Sequence, residues 1–380
     1  LTLLLTHPYR AALFRERTAE TIAAPLYGNY DKEDALALDY PIELVAKESR
    51  TNALRQAMKK LRPSAVIITS PHDNLAVEDA NFLSKCSVTT GVGVKEPAAS
   101  VFASKSATKE LLQSYSVPVA PDLDIAAISK STPAIGKPDR GWGGTQIVKL
   151  DNQKQACGFI ANASSGYVLE SYLEGIEVSV VVNVNRSDVW VSPVIFKGRV
   201  RETVEHALRR LRIVGCEKGK PSFERLRQYA RTLACNIEFC GTFEIEAIVN
   251  DDHVYVTEVN GRLSGVTSLL LASGQDLISG ILEMAGAEVR RSLGQNSGNF
   301  AAEVPLVPNT LETVEKRLNE LYSVHRLFYR SDSRGIRARV LLSAETLEKL
   351  SQEIGNLVRN SFAMAEVMED LNTYWTKFIE

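Results

Sequence analysis

The chain has 380 residues, 44% of them hydrophobic, enough for two or three domains with substantial cores. Its 44 basic side chains nearly balance 46 acidic ones, for a net charge of −2, so there is no electrostatic case for binding nucleic acid or an anionic membrane surface. Cys86, Cys157, Cys216, Cys235 and Cys240 lack C-x-x-C spacing, which favours reduced thiols in a cytoplasmic protein over a disulfide frame or zinc site. No apolar run approaches the roughly 20 residues of a membrane span, and LTLLL at the start is shorter than a signal-peptide core.

The first hundred residues alternate between two patterns. LTLLL reads as a buried strand, 52–61 as an amphipathic helix, and 65–69 as a second buried strand ending at Pro71-His72-Asp73. A helix over 75–85 and a short strand over 87–90 follow. Such alternation predicts a small parallel α/β domain. The turn after the first strand lacks G-x-G-x-x-G, which disfavours a dinucleotide cofactor. His72 follows a strand's carboxyl end, where open α/β sheets bind ligands; a polar loop histidine is the plainer reading.

Ser104 to Tyr115 has the spacing of an amphipathic helix with Ser104 as N-cap, ended by Pro118 and Pro121. Lys105 in its first turn opposes the helix dipole, a placement suited to a shared phosphate; otherwise it is a surface lysine. A strand ending at Lys137-Pro138 then enters the loop Gly141-Trp142-Gly143-Gly144-Thr145, followed by a strand over 146–150. Bare backbone N–H groups of such a flap can approach phosphate oxygens, and Lys137 would add a point charge. It is not a Walker loop, because no GK[ST] follows. A strand over 168–173 turns at Glu174-Gly175 into a second one, in which Glu177, Ser179 and Asn183 alternate with valines. Backbone here could read an adenine edge, and Glu177 could accept both hydroxyls of a ribose.

Carboxylates concentrate between Gly241 and Arg262. Two runs rich in β-formers flank Asn250-Asp251-Asp252-His253, which predicts a β-hairpin. Alternation places Glu244 and Glu246 on one face of the first strand, and Glu258 and Asn260 on one face of the second. Like charges resist shared burial unless a cation neutralises them, and an all-oxygen set suits Mg²⁺; a solvated hairpin is the alternative. Ahead of it, Lys197 to Arg201 could reach a carboxylate substrate, or simply be solvated, before a helix over 202–212. Behind it, helices are expected at 264–273 and 276–285, stopped by Gly274 and Gly286. A helix over 310–322 (box residues Asn309 and Glu312), a strand over 336–342 and a helix over 344–358 read as a separate unit.

In this order the motifs resemble the ATP-grasp superfamily. The resemblance covers about residues 60–290 and rests on Lys105 opening a helix and on Lys137 before GWGGT. It rests equally on the E-x-Y-L-x-G-x-E-x-S hinge from Glu170 to Ser179, and on the E…E-x-N-x-R hairpin of Glu246, Glu258, Asn260 and Arg262. It implies an α/β ATP-grasp fold. The parts would be an N-terminal parallel α/β domain (1–103), a small β-rich lid lobe (104–183), a larger nucleotide and metal lobe (184–300) and a C-terminal α/β domain (301–380).

The resemblance also implies that ATP is held by Lys105, Lys137, the flap glycines Gly143 and Gly144, Glu170, the Tyr172-Leu173 backbone and Glu177. Glu246, Glu258 and Asn260 would hold two Mg²⁺ ions, or Mn²⁺ in their place, and Arg262 with Lys137 would face the transferred phosphoryl group. Three departures stand out. Ser104 replaces a frequent Asp, Gly261 replaces a usual Pro, and Glu244 rivals Glu246 as first ligand, although the twelve positions from Glu246 to Glu258 match the commoner spacing.

The implied activity is ATP-dependent carboxylate–amine ligation through an acyl phosphate, releasing ADP and phosphate. Hinge and hairpin are most similar to amino-acid and small-peptide ligases acting on a small carboxylate and a small amine. Alternatives are a carboxylase or purine-pathway relative that activates bicarbonate or formate, and a nucleotide-binding regulatory module without turnover. A homodimer is open. Substrate identity is set by pocket loops that vary freely on one fold.

Overall fold

The computed structural model describes residues 1–379, apart from 28–31, 44–48, 87–89, 142–143, 145, 164–165, 186–187, 202–208, 216, 218, 252, 291–298, 308–323 and 333–334. Within 324–337 it describes the backbone alone.

Strands β1 (Thr2–Leu5), β2 (Thr21–Pro25), β3 (Tyr40–Ile42), β4 (Ala65–Ile67) and β5 (Gly91–Val92) form a parallel sheet in the order β3-β2-β1-β4-β5. Between them run helices α1 (Ala11–Arg15), α2 (Lys32–Leu36), α3 (Arg50–Leu61) and α4 (Asp73–Ser84); α5 (Ala98–Phe102) follows. Leu3, Leu4, Leu5 and Val66 have no exposure, as expected when a parallel sheet is covered on both faces. Ser49 starts α3 by accepting the Asn52 N–H, and Arg62 ends it in the left-handed region. Most of the strand expected at 87–90 falls outside the described residues; the paired segment is Gly91–Val92.

Helix α6 (Lys105–Ser114) leads into the lid, and Ser104 caps it as expected, its Oγ accepting from the Ala107 N–H at 3.2 Å. The lid holds β6 (Ala134–Pro138), β7 (Val148–Leu150), helix α7 (Gln153–Asn162) and β8 (Tyr167–Ser171), with antiparallel order β7-β6-β8. Ile128, Ala134, Leu150 and Ala156 form a small core of its own.

The largest sheet has nine strands. It uses β9 (Ile176–Asn185), β10 (Asp188–Val191), β11 (Ile195–Arg199), β12 (Arg212–Val214), β13 (Gly241–Asn250), β14 (His253–Asn260), β15 (Phe300–Pro305), β16 (Val324–Asp332) and β17 (Gly335–Ala344). The order is β14-β13-β9-β11-β12-β15-β17-β16, and β10 pairs with β9 beyond the end of β11. Helix α8 (Pro221–Asn236) packs on it, as do α9 (Thr267–Ala272) and α10 (Leu277–Met284), close to the two helices expected after the hairpin. Helices α11 (Leu347–Arg359) and α12 (Glu366–Tyr374) follow, and a π-helical turn over Trp375–Ile379 comes after them.

Two expectations change here. Of the helix read over 202–212, residues 202–208 lie outside the described set, and Arg212 opens strand β12, where Leu211, Ile213 and Val214 are fully buried. The segment from 300 onward, read as a separate unit, hydrogen-bonds into the main sheet: β15 pairs with β12, with Arg212 opposite Glu303. The helix read over 310–322 lies outside the described residues. The N-terminal sheet reaches the large sheet through α9 and α10, whose Leu269, Leu270, Ile278 and Ile281 share one core with Leu3, Leu5, Phe14 and Ile195.

Candidate functional site

Lid and hairpin enclose a cleft. It gathers Lys105, Lys137, Gly144, Glu170, Tyr172, Leu173, Glu177, Glu246 and Glu258, which lie up to 153 positions apart in the chain. Ala120, Ile135, Ile147, Val200 and Ile248 supply apolar wall, and such walls with a few convergent polar groups suit a flat heteroaromatic ring. Gly143 falls outside the described residues. Gly144 has φ of +70°, in the region that favours glycine.

Each lysine meets a carboxylate. Lys105 Nζ lies 3.3 Å from Glu258 and donates to the Gly141 carbonyl at 3.2 Å, tying α6 to the flap. Lys137 Nζ is 2.7 Å from Glu170, which is buried and also 3.3 Å from Lys109. Sequence reasoning missed Lys109, although its four-residue offset from Lys105 places both on one helix face. Asp139, at the end of β6, accepts from the hydroxyls of Ser104 and Ser106 and from the Ser106 N–H, a set that holds its carboxyl below the usual range against burial. It returns a carboxylate to the place where Ser104 departs from the ATP-grasp pattern.

At the hinge, the Tyr172 N–H donates to the Pro133 carbonyl at 3.0 Å. Of the expected adenine-reading backbone, the Tyr172 amide is thus engaged by protein. The Lys149 ammonium sits 4.5 Å from the Tyr172 ring centre. Glu177 is ion-paired with Arg210, and Arg201 lines the same wall. Arg210 gave no signal in the sequence because its segment was read as a helix.

The expected hairpin forms. Glu246 faces Glu258 and Glu244 faces Asn260, and the pairing shifts by one residue between Glu246 and Ala247. This bulge turns both Thr257 and Glu258 to the cleft wall. Lys197 on β11 reaches across β9 and bridges the two glutamates, 3.2 Å from Glu244 and 2.7 Å from Glu246. Glu244 also accepts from Ser264 Oγ at 2.6 Å. Burial raises its carboxyl, but Lys197 and the hydroxyls outweigh that and hold it down to about 2. For Glu246, burial dominates and pushes the carboxyl up, with Lys197 opposing.

Glu246, Glu258 and Asn260 were the expected ligands, with Glu244 as a rival to Glu246, and the hairpin carboxylates sit in different surroundings. Among the described residues no three acidic, histidine or cysteine side chains are placed to hold a metal ion. Glu244 is buried outside the cleft lining and neutralised by Lys197. Glu246 and Glu258 remain as a facing pair, with Asn260 Nδ2 donating to Glu246 at 3.2 Å. Two carboxylates with room for phosphate oxygens and water form a set that fits Mg²⁺.

Arg262 points the other way, its Nε 2.8 Å from Asp73 and its Nη2 donating to Asn260 Oδ1 at 3.2 Å. Asp73 begins α4 just past the carboxyl end of β4. From the end of β1, buried Arg10 donates to Ser268 Oγ at 2.7 Å and to the Gly265 carbonyl at 3.1 Å. The carboxyl ends of β1 and β4 therefore abut the loop after Arg262.

Residues 102–266 match the family model described as the ATP-grasp domain. This is the ATP-grasp fold. More than nine tenths of the chain superposes on solved structures of low sequence identity. N5-carboxyaminoimidazole synthetase from Staphylococcus aureus, complexed with ADP, superposes with a TM-score of 0.71 at 18% identity, over 93% of this chain and 96% of that one. Biotin carboxylase from Campylobacter jejuni gives 0.67 at 16%, over 97% and 98%. An L-amino acid ligase from Bacillus licheniformis gives 0.71 at 17%, over 94% and 97%. No curated protein is similar to the chain in sequence. The lid, hinge and hairpin of the ATP-grasp match are the elements that build the cleft, and among the described residues no helix is long and apolar enough to cross a membrane.

Proposed function

We propose that the protein is an ATP-dependent ligase that phosphorylates a small oxyacid and passes the activated acyl group to a nitrogen nucleophile. The observation that carries this reading is the single cleft in which Lys105, Lys137, Glu170 and Glu177 converge on the Glu246–Glu258 pair. The apolar wall takes the base, read at its edge by the hinge backbone, while Glu177 accepts from the ribose. Lys105 and Lys137 lie where the phosphates would run, and with nucleotide bound they exchange carboxylate partners for phosphate oxygens. Glu246 and Glu258 would hold Mg²⁺, which would offset charge on the phosphoryl oxygens.

An acid oxygen attacks the γ-phosphorus in line, the bond to the β-phosphate oxygen breaks, and ADP leaves. The nitrogen then attacks the acyl carbon and phosphate departs. Neither step calls for a protein nucleophile. The acid and nucleophile would enter from the crevice between the loop after Arg262 and the ends of β1 and β4, where Asp73 holds Arg262. The lid, with its own small core, closes over the nucleotide to keep water from the acyl phosphate.

Bicarbonate is the first acid to test, because carboxyl chemistry is named in two of the three similar structures. An amino acid comes second, since the L-amino acid ligase superposes equally well. Phosphate release from Mg²⁺–ATP, measured with bicarbonate, formate and a panel of amino acids against small amines, separates the readings. Bicarbonate-dependent release supports a carboxylating ligase, and amino-acid-dependent release with a new amide mass supports a peptide-type ligase. Nucleotide binding with no release under any pairing would instead support a regulatory module.

A further inference from the structure

The polar contacts around the carboxylate pair are unevenly shared between its oxygens. On Glu246, both Lys197 Nζ (2.7 Å) and Asn260 Nδ2 (3.2 Å) fall on Oε1. On Glu258, Lys105 Nζ (3.3 Å) also falls on Oε1. Glu244 has neither oxygen to spare, with Lys197 on Oε1 and Ser264 on Oε2. Asn260 Oδ1, the amide oxygen expected as a ligand, accepts from Arg262 Nη2 at 3.2 Å. Among the described residues, nothing engages Oε2 of Glu246 or Oε2 of Glu258.

Resting on the nucleotide-binding reading above, the geometry points to a site for one divalent ion, not two, with the Lys197 ammonium as a built-in second cation. Glu246 offers that ion Oε2 and Glu258 its carboxylate, which Lys105 releases as it turns to the phosphates, and Mg²⁺ bound by two carboxylates completes its shell from water and phosphates. A second dication would stand against an ammonium that is already within 2.7 Å of Glu246, and like charges repel strongly where water is excluded.

The sequence explains why this lysine stays put. Lys197 is 6% exposed, on a strand whose neighbours Phe196 and Ile195 are fully buried. It reaches both glutamates across β9. Glu244 is the residue that makes the arrangement stable. Paired to Lys197 and Ser264, it carries a full negative charge that a metal would otherwise have to neutralise. The three carboxylates of the hairpin therefore divide: Glu244 fixes the lysine, and Glu246 and Glu258 face the nucleotide.

The test counts metal rather than turnover. The intact protein is saturated with an ATP analogue bearing a β,γ-methylene bridge, and Mn²⁺ bound per chain is measured by electron paramagnetic resonance while analogue occupancy is measured in the same sample. One Mn²⁺ per bound analogue, with no dipolar-coupled pair signal, is the expected result. Two Mn²⁺ per bound analogue with a coupled-pair spectrum would overturn the inference while leaving the nucleotide reading intact. Absence of analogue binding would overturn both. Lys197→Met keeps the length of the side chain and removes its charge, and its count is expected to rise toward two. A variant that binds analogue but still holds one Mn²⁺ would show that Lys197 does not occupy the second cation's place. If that variant fails to fold, the wild-type count alone decides.

Discussion

Asp370 on α12 holds Arg201 at 3.0 Å, so a helix near the end of the chain fixes a side chain in the nucleotide cleft wall. The same carboxylate, 2% exposed, also lies 3.2 Å from Arg199 Nε. Removing its charge takes away the buried carboxylate between two arginines, of which Arg199 keeps Glu369 and Arg201 keeps the Glu366 carbonyl. Asp370→Asn is expected to cost about 1 kcal/mol of stability and to raise the KM for ATP several-fold with a smaller change in kcat. Unchanged ATP saturation in a folded variant would remove Asp370 from the positioning of the cleft.

Glu258→Gln keeps the shape of a cleft carboxylate and removes its charge. Turnover should fall on the order of 10²-fold or more, with nucleotide affinity largely kept, because Lys105, Lys137 and the hinge remain. Full activity of Glu258→Gln would end its assignment as a metal ligand.

Glu244 and Glu246 should separate cleanly. The carboxyl of Glu244, held down to about 2 against an ordinary 4.5, corresponds to about 3 kcal/mol of stabilisation. Because the folded value is depressed, that contribution is present above about pH 4.5 and is lost as pH falls toward 2. Glu244→Gln is therefore expected to lower Tm at neutral pH, and its deficit should shrink in acid. Glu246→Gln should instead lower turnover with a smaller effect on Tm. Denaturation curves at pH 7 and pH 3, with phosphate-release rates, distinguish them. The reverse pattern would make Glu244 the ligand.

The hairpin, the capped helix at Ser104, the strands flanking the hinge and the first α/β alternation were all legible, because they follow from side-chain period and local capping. What the sequence hid were partners that arrive from other strands. Lys197 was noticed only as part of a basic run, yet it bridges Glu244 and Glu246, and its reach across β9 depends on strand order. Arg210 and Asp73 were hidden in the same way. The sheet continuity of the last eighty residues was also invisible, since nothing local says which edge a strand will join. Spacing alone put Glu246 ahead of Glu244; in the sheet Glu246 lies opposite Glu258 and Glu244 opposite Asn260.

His7 at the end of β1 is 1% exposed, accepts the Tyr9 N–H on Nδ1, and has its pKa lowered to about 4, chiefly by burial and then by Arg50. The unfolded chain takes up this proton nearer 6.5, so stability should fall as pH drops from 6.5 toward 4 and then level off for this group. The loss over that range is about 3 kcal/mol. His7→Gln should flatten the slope in urea titrations at pH 7 and pH 5. An equal slope in both proteins would show that His7 is not the cause.

Gly175 turns the chain from the hinge into β9 at φ of +144°, and a Cβ there would sit 2.3 Å from the Val249 carbonyl oxygen. Gly175→Ala is expected to destabilise the protein by roughly 1–3 kcal/mol and to weaken nucleotide binding, because the hinge and hairpin can no longer approach. Wild-type Tm and ATP affinity in this variant would show that the close approach is dispensable.

The most direct test of the central claim follows oxygen rather than product. Bicarbonate, formate and a panel of carboxylic acids, each carrying ¹⁸O in the carboxyl group, are incubated with the protein, Mg²⁺–ATP and a mixture of small amines, and the released phosphate is analysed for ¹⁸O by phosphorus NMR. The account predicts that one acid passes an ¹⁸O atom to phosphate, because the acid oxygen that attacks the γ-phosphorus leaves with it. Phosphate released with its new oxygen drawn only from water, whichever acid is present, would contradict it.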